Sequence, residues 1–366
     1  MQRVLPSQSP RSSERTAGPL IGVHDPEGLG FAAKWCECLG ARGATVRKLD
    51  LLGADPLGQV EGCDGVMWHW SHYPHEMRLA AQPILRSIDE HLRIPVFPDV
   101  ATCWHFDDKI AQAYLLEALG IPVPKTWVFW RKADALAWCG KAMYPVVAKL
   151  SVGAGSSNVR LLRDAAAARA YVEECFSGSG IVGYPPLSTD PWLRLRRRVR
   201  NAAKRLGHAV GYVWANRLPP LPDPVHWMPQ KNYALFQEFL AGNEYDTRVT
   251  VVGNRAFAYR RFNRPNDFRA SGSGNFDVDP AVIDPRCVEA AFDAAHKLGS
   301  QSMAFDFLFS RPGGEPVVAE ISYAYVDWMV EKCPGHWTAD LRWSEGRLWP
   351  EEAHVEDFLA RIERHP

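Results

Sequence analysis

The sequence predicts a mixed α/β fold, with a parallel three-layer unit first and hairpin-built α+β segments after it. Three observations carry that prediction. Short apolar runs alternate with helical stretches as far as residue 105, the pattern of βαβ units. Gly253-Asn254 between two β-like runs, and the turn RPGG at 311–314 between two more, mark antiparallel hairpins. Residues 144–159, YPVVAKLSVGAGSSNV, set a lysine and a Gly/Ser loop between two short β runs. Glycines let a ligand approach the backbone closely, and successive N–H groups in such a loop form an anion-binding concavity.

A chain of 366 residues is long enough for two or three domains. Lys plus Arg (42) equals Asp plus Glu (42), so global charge favours neither nucleic acid nor an acidic surface. No apolar run reaches the ~20 residues that cross a bilayer. The first 18 residues lack an apolar h-region and read as a disordered tail. The eight cysteines are scattered, without a CxxC pair, and read as reduced thiols of a cytoplasmic protein.

Residues 19–105 form the first unit. Its strands are expected at Pro19–Val23, Ala44–Leu49, Asp64–Trp70 and Ile94–Phe97, with helices at Phe31–Arg42 and Leu79–Leu92. The first turn, HDPEGLG, lacks GxGxxG spacing, so no dinucleotide site is assigned there. His69, His72 and His75 in HWSHYPH invite a metal reading. Pro74 prevents a regular helix from aligning them, and no carboxylate or thiolate is spaced to complete a site. They read as a polar loop at a strand end, where substrates bind in parallel sheets.

Residues 106–182 follow. Asp107–Leu119 has a helical period placing Ile110, Tyr114, Leu115 and Leu119 on one side, and it stops at Gly120. Lys109 is a cation in the first turn, where the helix dipole disfavours one. It is either a solvated lysine or the partner of a phosphate. The loop after Lys149, holding Ser151, Gly153, Gly155, Ser156 and Ser157, is either a plain hairpin turn or a phosphate cradle. Residues 183–232 are a Pro-flanked basic insert whose WLRLRRRVRNAAKRLG reads as a solvated helix, a dock for an acidic substrate or, less well, an RNA contact.

Residues 233–345 carry the chemistry, and 346–366 a terminal helix. A tight Gly253-Asn254 turn pairs Val252 with Arg255, sets Asp246 opposite Arg261, and puts Arg248 on their face. Val249, Val251, Ala256 and Ala258 share the other, core-facing side. NDFRASGSGN presents Arg269 and Asn275 from a loop. A hairpin centred near Gly313 opposes Asp306 and Glu320, with Ser322 two residues on. Two carboxylates across a ladder repel, and a divalent cation with hard oxygen ligands, Mg²⁺, removes that cost.

With Lys109, Lys149 and its loop, the QEF segment at 237–239, the Arg-bearing hairpin and the acid pair in this order, the chain resembles the ATP-grasp superfamily. It looks closest to the carboxylate–amine ligase branch, the D-alanine–D-alanine ligase and ribosomal-protein glutamate ligase types. The resemblance covers about residues 97–325. It implies a Rossmann-like N-terminal domain followed by two α+β subdomains gripping ATP. Lys109 and Lys149 would contact phosphates, with the loop from Ser151 to Ser157 folded over them. Gln237, Glu238 and Phe239 would hold adenine and Glu244 the ribose. Asp306, Glu320 and Ser322 would bind one or two Mg²⁺, for which Mn²⁺ can substitute. Arg248 and Arg269 would hold the transferring phosphoryl group. The family usually has Asn where this chain has Ser322, which puts the second metal in question.

The resemblance implies that a substrate carboxylate attacks the γ-phosphate of Mg-ATP and that an amine then displaces phosphate from the acyl phosphate. Small-molecule substrates, acidic if the arginines and insert are a guide, and a homodimer are the implied partners. A carboxylate–thiol ligase, a small-molecule kinase, or a non-catalytic ATP- or RNA-binding protein are the competing readings.

Overall fold

The computed structural model describes residues 18–24, 30–70, 72, 75–153, 158–181, 229–264, 267–270 and 274–364, with His75 and Glu76 as backbone only. The N-terminal tail, Gly155, Ser156, Ser157 and the insert as far as residue 228 lie outside the described residues. Three sheets organise the rest.

Four parallel strands, β1 (Leu20–His24), β2 (Thr45–Leu49), β3 (Gly65–Trp68) and β4 (Val96–Phe97), pair in the order β2-β1-β3-β4. Alternation along a strand sends Ile21, Val23 and Met67 to one side and Val66 and Trp68 to the other. The helix Phe31–Ala41 covers the first side with Trp35 and Leu39. The helix His75–Arg86 covers the second with Ala81 and Leu85. It starts four residues before the expected Leu79 and ends in a π turn, Ser87–His91, one turn beyond Pro83. The terminal helix Pro350–Glu363 also lies on the first side. A Cβ at Gly65 would come within 2.8 Å of the Phe358 ring, so β3 opens on a glycine where that helix meets backbone.

The small sheet is antiparallel, with order β5 (Thr126–Phe129), β8 (Ala234–Glu238), β6 (Val146–Lys149), β7 (Val159–Leu162). Helices Lys132–Cys139 and Ala165–Cys175 pack on one face around Phe236, Val146 and Ala148. Sequence order groups Ala234–Glu238 with the residues after it. Its hydrogen bonds correct that, because β8 runs between β5 and β6.

The large sheet has the order β13 (Pro316–Ser322), β12 (Ser302–Phe309), β9 (Tyr245–Val252), β10 (Arg255–Phe262), β14 (Gly335–Thr338), β15 (Trp343–Glu345), with β11 (Phe276–Asp277) also on β10. The Gly253-Asn254 turn fixes the register as read: Val252 opposite Arg255 and Asp246 opposite Arg261. The helix Pro285–Leu298 covers the face bearing Val249, Val251, Ala256 and Ala258. It is capped by Asp284 at its start and by Gly299 (φ 63) at its end, where a left-handed residue satisfies the last carbonyls. The opposite face changes character along its length. Val252, Phe257 and Ala304 pack into the apolar core shared with the N-terminal sheet, while Asp246, Arg248, Arg261 and Asp306 occupy the other end. No helix among the described residues is long and apolar enough to cross a membrane.

Candidate active site

The charged end of the large sheet faces the small sheet across a cleft of about 1000 Å³, its open mouth included. That is the upper end of ordinary ligand clefts, about 300–1,000 Å³. Beneath it a row of cross-strand neighbours runs over four strands, Tyr259, Arg248, Asp306 and Glu320, of which Asp306 and Glu320 line the cleft. The facing of Asp306 and Glu320 depends on an irregularity. Near the turn, Phe309 pairs with Pro316 and Phe307 with Val318. Continuing that register would oppose Asp306 with Ala319 and turn Glu320 toward the core. A β-bulge at Ala319 absorbs the extra residue, and both Ala319 and Glu320 line the cleft.

Asp306 is buried and held by arginines. Its Oδ1 accepts from Arg248 Nε at 2.6 Å, and its Oδ2 from Arg248 Nη2 at 2.7 Å and from Arg261 Nη2 at 2.7 Å. Burial pushes the carboxyl up, but the two guanidiniums outweigh it and hold it well below the usual carboxylate range. Arg261 also forks onto Asp246 at 2.7 and 2.6 Å. Glu320 is more open, with Oε1 3.2 Å from Lys109 Nζ.

The roof comes from the small sheet and the helix Lys109–Ala118. Asp108 caps that helix, accepting from the N–H groups of Ile110 and Ala111. Lys109 is therefore fixed at its first position, and its Nζ donates to Gly153 O at 2.8 Å besides pairing with Glu320. Burial pulls its pKa down, but Glu320 and Asp107 more than offset this, so it stays a cation. Lys149 closes β6. Burial, together with the charge of Lys109, lowers its ammonium to about 8, against partial opposition from Glu320 and Asp306. Among the described residues it makes no ion pair. Tyr114, expected on the packed side of this helix, is half exposed, and Gln112 is buried in its place, donating to Ile321 O.

The site residues read from sequence separate into three groups. Lys109, Lys149, Gly153, Gln237, Glu238, Phe239, Arg269, Asp306 and Glu320 all line the cleft. Arg248 meets it through Asp306, and Ser151 lies behind it, buried, giving its hydroxyl to Asp108 at 2.6 Å. Glu244 is exposed, with Asn243 lining the cleft beside it, and Ser322 donates its hydroxyl to Ala324 O at 2.7 Å. Arg269 forks onto Asp267 at 2.9 and 2.6 Å. Sequence reasoning missed the Arg261–Asp306 contact, for which the shared face of Asp246, Arg248 and Arg261 was the available signal. It also missed Asp107, whose carboxylate accepts from Gly153 N at 2.7 Å.

Of the HWSHYPH histidines, His69 stacks on Phe31 at 4.1 Å, where burial pushes it down to about 3, while His72 leans on Asp107. No group of three or more metal-ligating side chains occurs among the described residues. The donor set at Asp306 and Glu320 suits Mg²⁺, which is commonly held by one or two carboxylates with phosphate oxygens and water completing the shell.

Two sheets gripping a charged cleft, behind a parallel N-terminal sheet, make this the ATP-grasp fold. No protein-family model and no curated protein matches the sequence. Solved structures similar to the chain include an ATP-grasp RimK domain protein from Sphaerobacter thermophilus, at 16% identity over 93% of this chain and 99% of that one, TM-score 0.51. Another is N5-carboxyaminoimidazole synthetase from Staphylococcus aureus complexed with ADP, at 11% identity over 94% and 78%, TM-score 0.57. A third is D-alanine–D-alanine ligase from Bacillus anthracis complexed with ATP, at 12% identity over 96% and 100%, TM-score 0.54. At these identities the likeness is one of fold.

Proposed function

We propose that this protein is an ATP- and Mg²⁺-dependent ligase that joins a carboxylate to an amine through an acyl phosphate. The observation that carries the reading is the convergence of Lys109 and Lys149 on the facing Asp306 and Glu320 in one cleft. Neighbours of the same fold solved with ADP and with ATP support a nucleotide there.

Lys109 and Lys149 hold phosphate oxygens, with Gly153 lining the cleft beside them. The strand end Gln237–Phe239 offers backbone groups and an aromatic face to adenine. Asp306 and Glu320 would hold Mg²⁺, which when bound neutralises phosphate charge. Arg248 and Arg261 keep Asp306 ionised and aimed, and Arg269 stands where a transferring phosphoryl group can be met. A carboxylate oxygen attacks the γ-phosphorus and the bond to ADP breaks. The amine nitrogen then attacks the acyl carbon and phosphate leaves. The protein's part is placement and charge neutralisation, as phosphoryl transfer requires.

The arginines and the basic insert point to acidic substrates, and a cytoplasmic reaction is the reading that goes with the demand for ATP. The test is ADP release screened against amino-acid and sugar-acid mixtures, with amide product read by mass spectrometry and Lys149→Ala as the blank. ADP release that needs no amine and yields no amide would sink the ligase reading in favour of a kinase.

A further inference from the structure

Forming an amide requires that the attacking amine lose a proton, and the groups assigned above do not provide for it. Lys109 and Lys149 serve as cations, Asp306 is held ionised by arginines, and Glu320 pairs with Lys109. A histidine–carboxylate pair stands next to the cleft-lining Gly153, whose N–H donates to the carboxylate of Asp107. His72 Nδ1 lies 3.2 Å from Asp107 Oδ1, and the carboxylate is almost fully buried (3% exposed) while the imidazole keeps 20% of its surface open.

Asp107 is unusually well fixed. Its φ of 52° is a left-handed conformation that a non-glycine residue keeps only where its surroundings hold it there. Arg78 Nη1 donates to its carbonyl at 3.0 Å, and Gly153 N donates to its carboxylate at 2.7 Å. The carbonyl of that same Gly153 takes Lys109 Nζ. The pair is thus one residue removed from the phosphate-side lysine, on the side facing the N-terminal sheet. Burial pushes the Asp107 carboxyl up, but His72, Lys109 and the Gly153 amide outweigh it, so it remains an anion able to steady an imidazolium. The ring of Phe106, tilted with its centroid 4.7 Å from that of the imidazole, closes one flank, and buried His69 lies within electrostatic reach, as Lys109 does of Asp107.

We propose that His72, oriented by Asp107, accepts the proton from the attacking amine. In this step the nitrogen bonds to the acyl carbon, the carbon–oxygen bond to phosphate breaks, phosphate leaves with that electron pair, and the nitrogen's proton passes to His72 Nε2. Asp107 faces the ring at Nδ1 and stabilises the cation formed, the part a carboxylate plays beside a base. The proposal rests on the ligase reading above.

The test separates the two halves of the reaction. Enzyme, ATP, Mg²⁺ and an amino-acid mixture are assayed for amide by mass spectrometry. A parallel assay adds hydroxylamine, a nucleophile largely unprotonated near neutrality that traps acyl phosphate as hydroxamate without a base. His72→Gln and Asp107→Asn are expected to keep hydroxamate formation near wild type and to lose about 10²–10⁴-fold in amide formation. Asp107→Asn retains an oxygen for Gly153 N–H, so that hydrogen bond persists. Added imidazole should restore amide formation to His72→Ala. Equal loss of hydroxamate and amide, or no imidazole rescue, overturns the proposal and leaves His72 a positioning residue. Absence of hydroxamate and of ADP release in the wild type fails the ligase reading itself, and the proposal falls with it.

Discussion

Lys149 should be a liability to folding that function retains. Its ammonium is lowered to about 8 from the ordinary 10.5 because burial removes water without supplying an ion pair. At about 1.4 kcal/mol per pH unit, that difference amounts to about 3 kcal/mol of cost at neutral pH. The sign follows from proton counting. Between about 8 and 10.5 the unfolded chain holds the lysine proton and the folded one has released it, so stability rises with pH across that window. Replacing Lys149 with Met keeps an unbranched chain and removes the charge. Urea unfolding without nucleotide should find Lys149→Met more stable than wild type at pH 7, by up to about 3 kcal/mol, with the gap closing toward pH 10. Comparing the two proteins cancels the other groups that titrate there. Adding ATP and Mg²⁺ should raise the Tm of the wild type and leave the variant nearly unmoved, since a ligand stabilises only the form that binds it. A variant less stable at pH 7, or one with the wild-type pH slope, would refute the argument that this ammonium is buried for binding.

Three further outcomes follow from the same electrostatics. Asp306→Asn leaves the buried Arg248 guanidinium without its carboxylate, while Arg261 keeps Asp246, and should cost about 3–5 kcal/mol in denaturant unfolding. Glu320→Gln changes the more open of the two acids and should cost less than Asp306→Asn, while abolishing Mg²⁺-dependent ADP release to the same degree. Because Asp306 is held below its unfolded value, its stabilisation is complete above about pH 4 and is lost as the pH falls further, and Asp306→Asn should flatten that acid limb. Glu351 has no exposed surface, and neither of its oxygens has a hydrogen-bond partner among the described residues; burial pushes it up to about 8. The folded chain then keeps a proton the unfolded chain gives up, so stability falls from about pH 4.5 to 8. Glu351→Gln should remove that decline, and an unchanged slope in unfolding measured across the window would contradict it.

The parts of this molecule that could be read from sequence are those set by local counting. Gly253-Asn254 fixes a hairpin, and with it the facing of Asp246 and Arg261 follows arithmetically. A count about Gly313 opposes Asp306 and Glu320, yet the strands near the turn are centred half a residue earlier. The Ala319 bulge makes up the difference, and an alanine between Val318 and Glu320 carries no signal of it. Non-local partners were harder. Strand β8 lies more than fifty residues beyond β7 in the chain and still pairs with β5 and β6, which no local period could show. His72, Asp107 and Gly153 come from three distant stretches, and only folding makes them neighbours.

The row from Tyr259 to Glu320 runs across the strands, so its charges are spaced by the hydrogen-bonding distance between neighbouring chains, about 4.8 Å a rung. A loop could relax around a longer or shorter acid; a ladder cannot. Lengthening Asp306 to Glu would keep its charge yet thrust the carboxylate one methylene into its guanidinium partners. The site accordingly gauges reach as strictly as it gauges sign.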